Sequence, residues 1–186
     1  MLSISALGPT TAKADYSNYG MGQITVSAPG GYFRDGFGTP LFRTPETQIL
    51  GPYPTAIAKD LKEIDGSGRP RTPFVVRDCA NRVCAFYQLI QGTSMASPHA
   101  AGVAALIVSK YGTRDTVHGG ATLSPATVES ILTSTASDHA CPVPPTVDYT
   151  IVGRPASWNA TCTGTPSFND FYGHGIVNAL GAVMRR

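Results

Sequence analysis

Residues Ser94 to Lys110 constrain the fold of this chain more than any other segment. Met95, Ala96, Ala100, Val103, Leu106, Ile107 and Val108 put apolar side chains on every side of one helical stretch. A helix apolar all round is expected inside a fold, with other elements packed on it from several directions. Gly112 follows as its expected stop. The chain must therefore supply layers to cover this helix, and a simple helical bundle is a poor source of them. The 20 Gly and 15 Pro point instead to a loop-rich α/β domain.

Short apolar runs bounded by turn residues supply the sheet. Leu2–Leu7 ends at Gly8-Pro9, and Ile24–Ala28 ends at Pro29-Gly30-Gly31; both suit buried strands of a parallel sheet. From Gly31 to about Pro73 the sequence is irregular and rich in Gly, Pro and Arg, with one helix expected within Thr55–Ile64. Phe74–Val76 and Ala85–Ile90 are expected as strands flanking the Cys79–Cys84 turn. Ser124-Pro125 opens a further helix, with serine as cap and proline in the first turn, and Val128, Ile131 and Leu132 form its inner face. Cys141–Phe171 reads as loop and Asn178–Arg186 as a short terminal helix. No internal repeat or second domain is visible.

With 186 residues, 42% of them hydrophobic, the chain is long enough for one core burying roughly 70% of its unfolded surface. The net charge is +2, with neither sign in a block. Neither a nucleic-acid nor a membrane partner is expected from such a balance. The apolar run Val103–Val108 is far too short to span a bilayer. The four cysteines fall into two local groups, Cys79 with Cys84 and Cys141 with Cys162. These pairings are favoured among the three connectivities, with free thiols as the alternative, and they imply an oxidising compartment. No spacing matches a zinc site, so no metal is assigned. Residues 1–20 nevertheless lack the basic start and apolar core of an export signal.

The chemistry concentrates in Gly92-Thr93-Ser94-Met95-Ala96-Ser97-Pro98-His99-Ala100-Ala101-Gly102. This string puts a hydroxyl at the N-terminus of a helix, where free N–H groups and the positive end of the dipole collect. Ser94 could simply cap the helix. It could equally present Oγ to a carbonyl while its own N–H holds the oxyanion. Gly92 would permit a close approach of substrate.

The string resembles the catalytic-serine signature of the subtilisin-like serine peptidases at every fixed position. Ser17-Asn18-Tyr19-Gly20 through Ile24-Thr25-Val26-Ser27-Ala28-Pro29-Gly30 is similar to the family's strand upstream of that serine. Tyr172-Gly173-His174-Gly175-Ile176-Val177-Asn178-Ala179 is similar to its closing segment. The resemblance implies a three-layer α/β fold around a parallel sheet and peptide-bond hydrolysis by an Asp-His-Ser triad. It makes Ser94 the nucleophile and Thr93 its oxyanion-hole neighbour, with Gly92 and Met95 at the substrate. Met95 would also make the site sensitive to oxidation. His99 and His174 are structural on this reading.

The chain departs from the family's pattern upstream of the serine. The triad runs Asp, His, Ser along a subtilase, yet His99, His118, His139 and His174 all follow Ser94. Asp15 stands upstream but in a turn-like context, and the family's oxyanion asparagine has no counterpart. The resemblance thus implies that residues 1–186 are the C-terminal part of a subtilase catalytic domain with a loop insertion at about 31–73. Its partners would be a polypeptide substrate and the N-terminal part of the same domain, and the complete protein would be secreted. No cofactor is implied except calcium, which many subtilases hold. Asp138, Asp148 and Asp170 have no ligand spacing for it. Asn159-Ala160-Thr161 fits a glycosylation acceptor by a common triplet only. The alternative function is an inactive pseudoprotease serving as a peptide-binding or interaction module.

Overall fold

A computed structural model describes residues 1–185 of the chain. It has mixed helix and strand content of the α/β class. Strands β1 (Ile4–Leu7) and β2 (Val26–Pro29) pair in parallel, Ile4 opposite Val26 and Leu7 opposite Pro29. The far side of β2 meets the chain's closing segment, where Gly175 O accepts the Ser27 N–H and Ser27 O accepts the Val177 N–H, each at 2.9 Å. On the far side of β1, the Ala14 N–H reaches Ala6 O and the Ala6 N–H reaches Ser17 Oγ. The parallel sheet is therefore only two strands wide among the described residues.

The segment between Gly31 and Pro73 is more ordered than its composition implies. It contributes β3 (Ile49–Pro52) and a helix, α1 (Thr55–Asp60), shorter than expected. Strand β3 joins β4 (Val75–Ala80) and β5 (Val83–Ile90) in an antiparallel sheet ordered β3-β5-β4. The β4–β5 turn is made by Asn81 and Arg82, both in the left-handed region at φ 50° and 65°. Positive φ at both central residues matches the right-handed twist of a hairpin. The Cys79–Cys84 disulfide closes this turn, and Cys141–Cys162 closes the second local pair, as the cysteine grouping predicts.

Strand β5 feeds directly into α2, which runs from Thr93 to Tyr111. Its all-round apolar character predicts burial on every side, and that expectation fails. Ala96, Ala100, Val103 and Ile107 are buried, at helical spacing on one face. Val103 and Ile107 pack with Val26 of β2, with Ile131 and Leu132, and with Ala182. Ala101, Gly102, Ala105 and Leu106 point away and are exposed, Leu106 by 48%. An apolar side chain states what a face can bury, and none of the described elements covers this one.

Helix α3 (Pro125–Ser134) begins as its sequence dictates, with Ser124 Oγ accepting the Thr127 N–H at 3.1 Å. Such a cap contributes about 1 kcal/mol. Ile131 and Leu132 are its buried positions, and Val128 packs beside them. The terminal helix α4 (Ala179–Met184) is capped by Asn178. Arg186, placed in that helix by the sequence reading, lies outside the described residues.

Candidate active site

The geometry around Ser94 starts with β5. Gln91, just past the strand, accepts the Phe33 N–H on its side-chain oxygen, and the Gly92 N–H donates to Gly30 O at 2.9 Å. These two bonds tie the approach to α2 to the end of β2. Gly92 then turns the chain into the helix: its carbonyl accepts the Met95 N–H at 2.9 Å and the Ala96 N–H at 3.2 Å. The N–H groups of Thr93 and Ser94 precede the first intrahelical donor, so both are free to face a ligand. A side chain at position 92 would bring its Cβ to 3.0 Å from Ser94 Oγ. Glycine there leaves that hydroxyl clear.

Thr93 and Ser94 are both exposed. Ser94 Oγ lies 3.6 Å from Met95 Sδ, a weak contact that leaves the hydroxyl free to donate elsewhere. Met95 also lines an apolar groove of about 450 Å³ with Ile90, Ile49 to Pro52 of β3, Pro98 and His99. The structure thus keeps Gly92, Thr93, Ser94 and Met95 on one turn, with Thr93 and Ser94 exposed and Met95 lining an apolar groove.

No histidine or carboxylate hydrogen-bonds Ser94 Oγ among the described residues. His99 Nδ1 bonds Met95 O at 2.8 Å, one turn back along its own helix. His118 pairs with Asp115, His139 stands edge-on to Tyr172, and His174 lies against Phe168. Asp15 is engaged elsewhere: its fully buried side chain takes Arg154 Nε at 2.5 Å, and Arg34 Nη1 lies 3.8 Å away. The three aspartates weighed for calcium are separate as well. Asp138 is exposed, Asp148 caps the turn at Thr150, and Asp170 binds the backbone and hydroxyl of Thr163. They do not fit a shared calcium site. Asn159, the glycosylation candidate, accepts the Tyr149 N–H at 2.9 Å.

Two features escape the sequence. Lys13 is buried at 4% exposure, with its ammonium 4.8 Å from the Tyr19 ring, 5.5 Å from Tyr149 and 5.3 Å from Phe171. Burial lowers its pKa to about 8, against the raising influence of Asp15 and Asp170. Tyr16 reaches the carbonyls of Gly30 and Gly31. Burial pushes its phenol well above the usual range. Both sit in a stretch that reads as a turn between strands. Their partners lie too far along the chain for any local pattern to reveal.

Residues 1–175 match the profile of the subtilase family. No curated protein sequence matches the chain. Among solved structures, a lanthipeptide protease superposes with a TM-score of 0.60 at 25% identity, over 100% of this chain and 42% of that one. Fervidolysin from Fervidobacterium pennivorans, a keratinolytic enzyme related to subtilisin, superposes over 100% of this chain and 19% of its own, with a TM-score of 0.51 at 19% identity. The chain thus spans less than half the length of either protein. With its serine string at the head of α2 and its profile match over nearly the whole length, the chain belongs to the subtilase family.

Proposed function

We propose that this chain is the nucleophile-bearing, C-terminal part of a secreted serine endopeptidase. Family membership supports serine peptidase chemistry. The single observation that carries the assignment to Ser94 is its exposure at the head of α2, with free N–H groups beside it and a glycine clearing its hydroxyl. In the proposed reaction Ser94 Oγ attacks the carbonyl carbon of a polypeptide, and its proton passes to a histidine base. The oxyanion is held by the Ser94 N–H, with Thr93 shaping the hole. The base then protonates the departing amine, and water hydrolyses the acyl-enzyme. Met95 and Gly92 border the bound substrate.

The base and the aspartate that orients it belong, on this proposal, to the N-terminal part of the same domain. That part packs on the exposed face of α2 formed by Ala101, Gly102, Ala105 and Leu106. Small residues there allow close approach, and Gly102 has no atom within 4 Å of where a Cβ would stand. Residues 1–186 alone are then expected to show no measurable proteolysis, because triad members act as a unit.

The test is fluorophosphonate labelling of the chain combined with a subtilase segment bearing the aspartate and histidine. An adduct on Ser94, absent in Ser94→Ala, supports the proposal. Leu106→Lys is expected to abolish labelling by blocking the docking face. A second reading, an inactive peptide-binding module, draws on the absence of a base bonded to Ser94 Oγ among the described residues. Peptide binding without any labelling in the combined domain would favour it.

A further inference from the structure

The hydroxyl of Tyr16 occupies a node between the two halves of the Ser94 support. It lies 3.0 Å from Gly30 O and donates to Gly31 O. Gly30 O in turn accepts the Gly92 N–H at 2.9 Å. The hydroxyl thus holds the carbonyl at the end of β2 that binds the residue two places before Ser94. Space at the node is closed: a Cβ on Gly30 would stand 2.8 Å from Gly92 O and 3.2 Å from the Tyr16 hydroxyl.

Both neighbours of Tyr16 are themselves fixed. Asp15 is gripped by Arg154 and Arg34, and Ser17 Oγ receives the Ala6 N–H of β1 at 2.9 Å. The ring is therefore held at its base as well as its tip. The phenol also stays protonated through the working pH range, since burial raises its pKa. It is a permanent donor.

We infer that Tyr16 is a positioning residue that locks the Gly30–Gly31 turn onto Gly92 and so sets where Ser94 presents its hydroxyl and N–H. The catalytic consequence rests on Ser94 being the nucleophile, as proposed above. The hold on Gly92 runs through Gly30 O, which accepts both the Tyr16 hydroxyl and the Gly92 N–H. Tyr16→Phe removes the hydroxyl and keeps the ring. Tyr149→Phe is the control: its buried hydroxyl bonds Lys13 O at 3.0 Å, away from Gly92.

Hydrogen exchange at the Gly92 amide, followed by NMR in the 186-residue chain, reads the hold without any need for activity. Tyr16→Phe is expected to speed that exchange by up to about tenfold, the scale of the hydrogen bond lost from the Gly30–Gly31 turn that holds Gly92, while Tyr149→Phe leaves it unchanged. In the combined domain, the maximal rate of Ser94 acylation should fall about tenfold or more in Tyr16→Phe, because small misplacements of a nucleophile are costly. The half-saturating concentration of reagent should not move. Unchanged Gly92 exchange in Tyr16→Phe, or an equal rise in Tyr149→Phe, overturns the inference. If Ser94 in the wild-type combined domain takes no label, the nucleophile proposal fails, and Gly92 exchange still decides the role of Tyr16.

Discussion

Replacing Lys13 by methionine should raise stability at neutral pH by an amount that shrinks as the solution becomes alkaline. The folded chain lowers the Lys13 pKa from 10.5 to about 8, first through burial. At pH 7 the folded state therefore retains a proton it binds less well than the unfolded chain does. A tenfold loss of proton affinity is worth about 1.4 kcal/mol, so the charged, buried ammonium costs about 3 kcal/mol at pH 7. The sign follows from linkage: between pH 8 and 10.5 the unfolded chain binds more protons, so stability rises with pH there. Above about pH 10 the tyrosines Tyr16, Tyr32 and Tyr149, all raised by burial, reverse the trend as they ionise first in the unfolded chain. The difference between wild type and Lys13→Met cancels that tyrosine contribution. Urea denaturation of both proteins from about pH 7 to 10 should show this difference moving by about 2 kcal/mol in favour of the wild type. Methionine fills the aromatic cage and carries no proton, so loss of ring contacts shifts only the offset. A difference that stays constant across the range would refute the argument that Lys13 is buried with its charge.

Two further outcomes are expected. Ile107→Ala, at a fully buried position on the inner face of α2, should cost about 2–5 kcal/mol in denaturant titration, whereas Ala105→Ser on the outer face should change little. Gly92→Ala should leave the far-UV circular dichroism nearly unchanged yet reduce Ser94 labelling in the combined domain by about tenfold or more, because the new Cβ would meet the hydroxyl at 3.0 Å.

Features set by neighbours in sequence were legible from the chain alone. Ser124 and Pro125 announce α3 because a cap and a first-turn proline act within one turn of helix. The disulfide Cys79–Cys84 follows from two cysteines flanking a tight turn. Helix α2 was visible as a helix, but its two faces were not. Ala100 and Ala101 are equally apolar, and only packing separates the buried one from the exposed one. The clasp between Asp15 and Arg154 spans 139 positions and leaves no periodic trace. Tyr16 was hidden for the same reason, since its acceptors at Gly30 and Gly31, and the Gly92 N–H bonded to the first of them, meet only in the folded chain. At the site itself, Gly92, Thr93, Ser94 and Met95 were readable because their contiguity puts them on a single turn.

The central claim is that Ser94 is a nucleophile whose base comes from outside these residues. Fluorophosphonate treatment followed by peptide mass spectrometry tests both halves in one measurement. The account predicts a single adduct, on Ser94, in the chain combined with an aspartate- and histidine-bearing segment, and none in the chain by itself. An adduct on a different serine of the combined domain, or a Ser94 adduct formed by the isolated chain, would contradict it.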